Sequence, residues 1–327
     1  MGFMKPIGTA LLAVVVILVA NCKHTSEPLE AGPTHPAGIL SESLASPGRP
    51  HGVAIAPNGH FCISQIDGNA VSCGELTLAT IQFDVANVPV GQSPAHVALN
   101  STGTEVFTAD QGSRTASFVD IVAGRSIATV PLNDDGFNVL AHPSAQRLYV
   151  TTASGQLHVV DTDSHTNLAR INVGAAANGL ALDVNANRLY VSSRDASTVT
   201  AIDLQTNQVS RAYAVGLEPQ RIALSHDGKT LYIATEGAGL EYLNLATGTR
   251  TAVDGVSAGA VGLALSPDNQ QIYITNPPLG IVQVVDVATH EVMQTINGLG
   301  RPRNVAFGLQ GAAALVTNEL GNVYVVR

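Results

Sequence analysis

The chain has 327 residues, of which 45% are hydrophobic and 13% are charged, and its formal net charge is −9. This composition excludes a disordered chain, because it supplies enough apolar side chains to bury a core. The negative charge repels a phosphate backbone, so we expect no nucleic-acid partner. The length is usual for two domains, but a closed all-β repeat accommodates it in one, so sequence periodicity has to decide the organisation.

Residues 1–21 have the pattern of an export signal. A short basic region is followed by an apolar run, ALLAVVVILVA (residues 10–20), that ends in small residues. The run is too short to span a bilayer comfortably, so it does not predict a transmembrane helix. We therefore expect the protein to work outside the cytoplasm, in the periplasm or at the cell surface.

The signal ends in LVANC (residues 18–22), which resembles the lipobox of bacterial lipoproteins. The resemblance implies that Cys22 carries the lipid and that Lys23 directs the protein to the outer membrane, with the lipid as its only membrane contact. Asn21 departs from the pattern, which has Gly, Ala or Ser there, so ordinary cleavage nearby and an uncleaved anchor both stay open. Residues 22–38 carry three Pro and no apolar periodicity, which predicts a flexible linker after the lipidated Cys.

The remaining chain, residues 39–327, repeats every 41 to 43 residues. Each repeat reads as an apolar strand, a polar turn, a second strand such as LYVT (residues 148–151), a third strand that usually ends in Asp, and a fourth strand. No stretch of helical periodicity separates these strands. The repeats begin at Gly48, Gly91, Asn133, Gly174, Gly216, Gly259 and Gly300. We predict an all-β fold, a seven-bladed β-propeller of four-stranded antiparallel blades.

Three short motifs carry a family resemblance. They are YVTT (residues 149–152), YITN (residues 273–276) and SPD (residues 266–268), which follows a first strand. These motifs resemble the YVTN-repeat (YncE-like) family of bacterial periplasmic and surface propellers, over about residues 48–327. The resemblance implies the fold but no particular activity, because the biochemical function of most members of this family is unknown.

The seventh repeat ends at Arg327 after its third strand, which leaves its blade one strand short. The segment ILSESL (residues 39–44) precedes the first repeat, so we expect it to supply the missing outer strand. This pairing closes the ring and removes an open sheet edge that would otherwise favour aggregation.

A short polar side chain recurs where the third strand ends. A row of carboxylates suggests metal binding, but one residue per blade keeps these side chains apart, so we expect them to accept hydrogen bonds from the following turn. The residues are Asp120, Asp161, Asp203 and Asp286, with Asn244 in the fifth repeat.

Cys62 and Cys73 flank the turn IDGN (residues 66–69) in the first repeat. A two-residue Asp-Gly hairpin places these two positions directly opposite each other on neighbouring strands. Opposed strand residues are close enough for a disulfide, and an exported protein meets an oxidising compartment. We therefore predict a Cys62–Cys73 disulfide, with two buried reduced thiols as the alternative.

The predicted ligand site is the face where the first strand of each blade enters the central channel. Guanidinium groups bind carboxylate or phosphate, and His adds a further donor, so polar residues there predict an anion site. The alternatives are side chains that are polar only because they meet water, and a metal held by the two His. The candidate residues are Arg49, His51, His96, Asn138, Asn178, Arg221, Arg301, Arg303 and Asn304.

The first functional hypothesis is an exported, non-catalytic binding or scaffold protein that uses this face. Its ligand would be an anionic small molecule, or its partner a protein or cell-envelope component. We expect a monomer with no cofactor, no bound metal and no catalytic residue, because no haem-attachment or nucleophile motif occurs in the sequence.

The alternative hypothesis is a metal-dependent, lactonase-like hydrolase with a divalent ion in the central channel. Asn138, Asn178 and Asn304 would serve as neutral ligands. A carboxylate is missing at the start of every first strand, and the nearest candidates in flanking loops are Asp134, Asp135 and Glu218.

Overall fold

Seven four-stranded antiparallel sheets form the protein in a computed structural model, which describes Met1, residues 36–46 and residues 48–327. Blade one contains β2 (Pro50–Ile55), β3 (His60–Gln65), β4 (Ala70–Leu76) and β5 (Ile81–Pro89). Blade two contains β6 (Pro94–Leu99), β7 (Glu105–Asp110), β8 (Thr115–Asp120) and β9 (Arg125–Pro131). Blade three contains β10 (Gly136–Ala141), β11 (Arg147–Thr152), β12 (Gln156–Asp161) and β13 (Thr166–Asn172).

The later blades repeat the same order. Blade four contains β14 (Ala177–Asp183), β15 (Arg188–Ser193), β16 (Thr198–Asp203) and β17 (Gln208–Ala214). Blade five contains β18 (Pro219–Leu224), β19 (Thr230–Thr235), β20 (Gly239–Asn244) and β21 (Arg250–Ala252). Blade six contains β22 (Leu263–Leu265), β23 (Gln271–Asn276), β24 (Ile281–Asp286) and β25 (Val292–Ile296). Blade seven contains β26 (Pro302–Gly308), β27 (Ala313–Asn318), β28 (Asn322–Val326) and β1 (Leu40–Ala45), with a 3₁₀ turn (Leu309–Gly311) after β26.

The ring closes as the sequence predicts. β1 pairs antiparallel with β28, with Leu44 opposite Val323 and Ala45 opposite Asn322. Main-chain hydrogen bonds of 2.9 Å in both directions join Ile39 to Arg327 below this pair. The first and last described strands therefore lie in one blade, and neither leaves that sheet edge bare.

The core lies between blades rather than inside one of them. Seven clusters of buried apolar side chains fill the seven spaces between neighbouring sheets. The cluster that joins blade seven to blade one includes Phe61, Ile63, Leu315 and Val325, each with 0% exposure. The space next to the closing strand is thus packed as tightly as the others.

Two predicted local features are confirmed. Cys62 and Cys73 are direct partners on β3 and β4, are buried, and form a disulfide. The third-strand acceptors each cap the following turn, as Asp203 does by accepting the N–H of Thr206 at 3.0 Å. These hydrogen bonds hold the pKa values of Asp161, Asp203 and Asp286 below their usual range.

The end of the predicted linker packs against blade six. Tyr273 Oη donates a 3.2 Å hydrogen bond to the carbonyl of Pro36, and Gln294 Nε2 donates one of 2.9 Å to the carbonyl of Gly38. Residues 2–21 of the predicted export signal and Cys22 lie outside the described residues. Within residues 36–46 and 48–327, no helix has the length and apolar character needed to cross a membrane.

Candidate functional site

Two stacked rings of side chains surround the channel where the first strands begin. The mouth ring takes one residue from each blade in order: His51, Ala95, Phe137, Asn178, Gln220, Val261 and Arg303. The inner ring takes the next residue of each blade: Gly52, His96, Asn138, Gly179, Arg221, Gly262 and Asn304. Glycine is required where the neighbouring blade comes close, since a Cβ at Gly262 would lie 2.5 Å from the carbonyl oxygen of Arg303.

The Thr of the YVTN-like motif holds the two rings in place. Thr151 Oγ1 accepts a 3.1 Å hydrogen bond from the inner-ring N–H of Asn138 in its own blade. The same hydroxyl donates a 3.0 Å hydrogen bond to the mouth-ring carbonyl of Asn178 in the next blade. Ser192, Thr275 and Thr317 form the same bridge. A hydroxyl at this position therefore joins neighbouring blades beside the site.

All seven mouth-ring residues line one cavity of about 490 Å³ that opens to solvent. This volume lies within the range of small-molecule sites. Arg221 and Asn304 of the inner ring form its floor, with Arg221 Nε donating a 3.1 Å hydrogen bond to Asn304 Oδ1. The outer turns add Gln111, Ala153, Ala176, Arg194, Asp195 and Glu236 to its walls.

Arg221 and Arg303 make one side of this cavity basic. Nη1 of Arg221 is buried and has no hydrogen-bond partner, and no carboxylate of the described residues forms a salt bridge with this side chain. Burial lowers the pKa of Arg221 to about 9, and the positive charge of Arg303 adds to this effect. Arg303 Nε likewise lacks a hydrogen bond and lies 3.9 Å from Glu319 Oε1. Both guanidinium groups are therefore short of acceptors.

The amide wall, formed by Asn178, Gln220 and Glu236 of blades four and five, is already satisfied by internal hydrogen bonds. Asn178 Nδ2 donates to Gln220 Oε1, and Gln220 Nε2 donates to Glu236 Oε1. Arg194 donates to the same Glu236 oxygen at 3.2 Å and to Glu218 at 2.8 Å. These groups fix one another, so this wall shapes the cavity without leaving its charges unpaired.

About half of the chain is similar to curated proteins. Two proteins, each named "Uncharacterized protein YncE", from Salmonella typhi and Salmonella typhimurium, are 28% identical over 165 residues. That segment is 48% of this chain and 46% of each relative, so the chain spans about half the length of the curated relatives it matches. The chain is a seven-bladed β-propeller that is similar to these YncE proteins over the matched segment.

Two further comparisons concern the fold. Residues 145–239, from β11 to the start of β20, match the family model described as "Cytochrome D1 heme domain". Among solved structures, Kuenenia stuttgartiensis hydrazine synthase is similar with a TM-score of 0.76 and 16% sequence identity. The similarity covers 88% of this chain and 98% of that chain. At this identity the likeness shows the propeller fold alone.

The mouth of this propeller does not fit a haem. A haem iron takes an axial His, Met, Cys or Tyr, and the segment that matches the haem domain places none of these in the cavity. The cavity is lined by one imidazole, His51, whose Nδ1–H donates to the carbonyl of Ala95. Charged and amide side chains, rather than two apolar faces, form most of the remaining wall.

The donor role expected of His51 is absent. Because Nδ1 carries the proton that bonds Ala95, Nε2 has only a lone pair, 3.7 Å from Glu319 Oε1. Burial, with the positive charge of Arg303, lowers the pKa of His51 to about 3. His51 is thus a neutral acceptor at the mouth.

His96 and Asn138 lie deeper than the sequence suggests. They line an inner chamber of about 150 Å³, on the far side of Arg221 and Asn304 from the mouth cavity. Burial lowers the pKa of His96, and its Nδ1 has no hydrogen-bond partner. Asn138 Oδ1 accepts the N–H of Val139 at 2.9 Å. Neither residue contacts the mouth cavity, so the two His do not share one site.

Arg49 and Arg301 stand outside the cavity. Arg49 forms two hydrogen bonds with the exposed Asp67, at 2.9 and 2.8 Å. Arg301 is 61% exposed and lies 3.5 Å from Glu319. Of the nine predicted residues, the structure therefore places His51, Asn178, Arg221, Arg303 and Asn304 around the mouth cavity.

The carboxylates considered for a metal are engaged elsewhere. Asp134 accepts the N–H of Ser154 at 2.7 Å, Asp135 lies 2.9 Å from Arg114, and Glu218 binds Arg194. Among the residues that the structure describes, no three His, Cys, Asp or Glu side chains converge as a metal site.

Phe137 is the main functional candidate that the sequence search missed. It is partly exposed and lines the cavity at the blade-three position of the mouth ring. An aromatic residue in a strand is normally interpreted as core, which hides it. Aligning the seven repeats residue by residue would have found it, since Phe137 occupies the same position as His51 and Arg303.

Proposed function

We propose that this propeller is an exported binding protein that holds an anionic group of a small molecule in the mouth cavity, between Arg221 and Arg303. One observation carries the proposal. Arg221 presents a guanidinium with a buried, unpartnered Nη1 at the floor of a cavity of ligand size. A buried charge without a partner costs several kcal/mol, and a ligand anion would supply the missing counter-charge and acceptors.

Binding rather than turnover is the better-supported role. Hydrolysis of a lactone would need an activated water or a metal at the mouth. The neutral donor Asn138 lies in the inner chamber, and Glu218 and Asp135 are held by arginines. The proposed anion site requires no further group.

Export and lipid attachment at Cys22 form part of the proposal. A buried Cys62–Cys73 disulfide suits an oxidising compartment, which supports export. A Cys22→Ser variant should lose incorporation of radiolabelled palmitate and move from the membrane fraction to the soluble fraction. Unchanged labelling would show that another residue carries the lipid.

Calorimetric titration tests the anion site with acetate and with inorganic phosphate as probes. We expect saturable binding of at least one probe to the wild-type protein and a loss of about tenfold or more in Arg221→Met. Arg49→Met removes an exposed arginine outside the cavity and should leave the affinity unchanged. Equal affinity in wild type and Arg221→Met would overturn the proposal, and conversion of γ-butyrolactone with added Ca²⁺ would favour the hydrolase.

A further inference from the structure

One part of the cavity wall is apolar. Phe137 in blade three, Ala153 in its outer turn and Ala176 before blade four line the cavity next to one another. In a ring of seven, blade three lies three blades away from both blade six and blade seven. Phe137 is therefore across the channel from Val261 and Arg303.

Among the described residues, Arg221 is the one cation without a carboxylate partner in the wall of the cavity. Three guanidinium groups and two carboxylates face it, and the one imidazole is neutral. The cations are Arg194, Arg221 and Arg303, and the anions are Asp195 and Glu236. Arg194 pairs with Glu218 and Glu236, and Arg303 lies 3.9 Å from Glu319. A ligand with one negative charge would therefore balance Arg221, whereas a dianion would also be repelled by Asp195 and Glu236.

The amide wall offers little to a highly polar ligand. Asn178 donates to Gln220, and Gln220 donates to Glu236. Glu236 also accepts a hydrogen bond from Arg194. A ligand rich in hydroxyls would have to break these bonds to gain its own. An apolar ligand body seated against Phe137 breaks none of them.

We propose that the mouth cavity binds a small monocarboxylate with an apolar, preferably aromatic, body. The carboxylate lies between Arg221 and Arg303, and the body packs on Phe137 with Ala153 and Ala176 beside it. This inference rests on the proposed function, since it assigns a ligand class to the same anion site. Offset or edge-on packing of a ligand ring on Phe137 adds to the affinity gained by burying its apolar area.

Titration calorimetry with four probes tests the ligand class on the whole protein. The four probes differ in charge and in aromatic body. Benzoate has one negative charge and an aromatic ring, acetate lacks the ring, phenyl phosphate has a second negative charge, and benzyl alcohol has no charge. We expect benzoate to bind about tenfold or more tighter than acetate, and tighter than phenyl phosphate, with no measurable binding of benzyl alcohol.

Variants separate the two sides of the cavity. Phe137→Ala should weaken the binding of benzoate about tenfold and leave the binding of acetate unchanged. Phe137→Leu keeps an apolar side chain and should weaken benzoate binding less, and it serves as the test if the alanine variant fails to fold. Leu279→Ala alters an exposed apolar residue outside the cavity and should change neither probe.

The outcomes distinguish this inference from the proposed function. The inference would be wrong if benzoate and acetate bound with equal affinity, if Arg221→Met reduced both affinities and if neither Phe137 variant changed them. The proposed anion site would then still be supported. Binding of phenyl phosphate tighter than benzoate would also overturn the inference. Absence of binding by every anion would overturn both.

Discussion

Replacing Arg221 with Met should stabilise the protein while removing its anion site. The guanidinium is buried at the cavity floor without a carboxylate partner, and burial lowers its pKa to about 9. Even a buried ion pair can be exchanged for apolar side chains of similar volume with a gain of up to about 4 kcal/mol, and a buried charge without a partner has no Coulomb attraction to lose; we take about 3 kcal/mol as the gain. The lost Nε bond to Asn304 Oδ1, 3.1 Å long, offsets about 1 kcal/mol of this.

The net gain of about 2 kcal/mol corresponds to a Tm about 4 °C above wild type for a domain of this size. Differential scanning calorimetry would measure it in a buffer whose only anion is chloride. Added benzoate should raise the Tm of the wild type and leave that of the variant unchanged, so the difference between the two Tm values becomes smaller. Arg49→Met, which breaks an exposed ion pair, should shift the Tm by only a degree or two. A Tm of Arg221→Met several degrees below wild type would refute the reasoning, because it would show that the fold itself neutralises this charge.

Three other perturbations test the ring, the disulfide and the buried imidazole. Deleting residues 36–46 exposes the edge of β28 and opens the apolar cluster between blades seven and one. The Tm should therefore fall by more than about 5 °C, and size-exclusion chromatography should show association. An unchanged Tm would contradict closure of the ring by β1. Cys62→Ser with Cys73→Ser should lower the free energy of unfolding in urea by about 3 kcal/mol, the value for a loop of this length, and a loss below 1 kcal/mol would contradict the prediction. Burial, with Arg303, lowers the folded-state pKa of His51 to about 3. The unfolded chain therefore takes up this proton as the pH falls below about 6.5, while the folded chain does not until about pH 3. The folded state therefore loses stability as the pH falls through this window. Urea titrations at pH 7 and pH 5 should show that the free energy of unfolding drops by about 2 kcal/mol more in the wild type than in His51→Gln. Equal drops would place the pKa of His51 near its usual value.

Sequence periodicity was sufficient to predict the fold because every blade repeats the same physical pattern. The incomplete seventh repeat implied that β1 would close the ring, and the two-residue turn placed Cys62 opposite Cys73. Both inferences depend only on counting residues between strands that are individually easy to recognise.

The site was harder to predict because one residue along a strand changes which space a side chain enters. The candidate set mixed three positions: Arg49 and Arg301 before the mouth ring, His51 within it, and His96 one residue deeper. Pairing of the first and second strands is irregular at this end in most blades, so strand alternation does not fix the direction of these side chains. The lowered pKa of His51 also depends on burial between blades and on the charge of Arg303, and its tautomer is set by the carbonyl of Ala95, none of which a local pattern reveals.

Ring closure also separates the closing contacts from the mouth cavity. β28 runs away from the mouth and β1 runs back toward it, so Ile39 and Arg327 meet at the opposite face. Residue 36, where the described chain leads into the ring, joins at that same far face. The contacts that close the ring at Ile39 and Arg327 and the residues that line the mouth cavity therefore lie at opposite faces, so a change at the closing contacts does not touch the mouth directly.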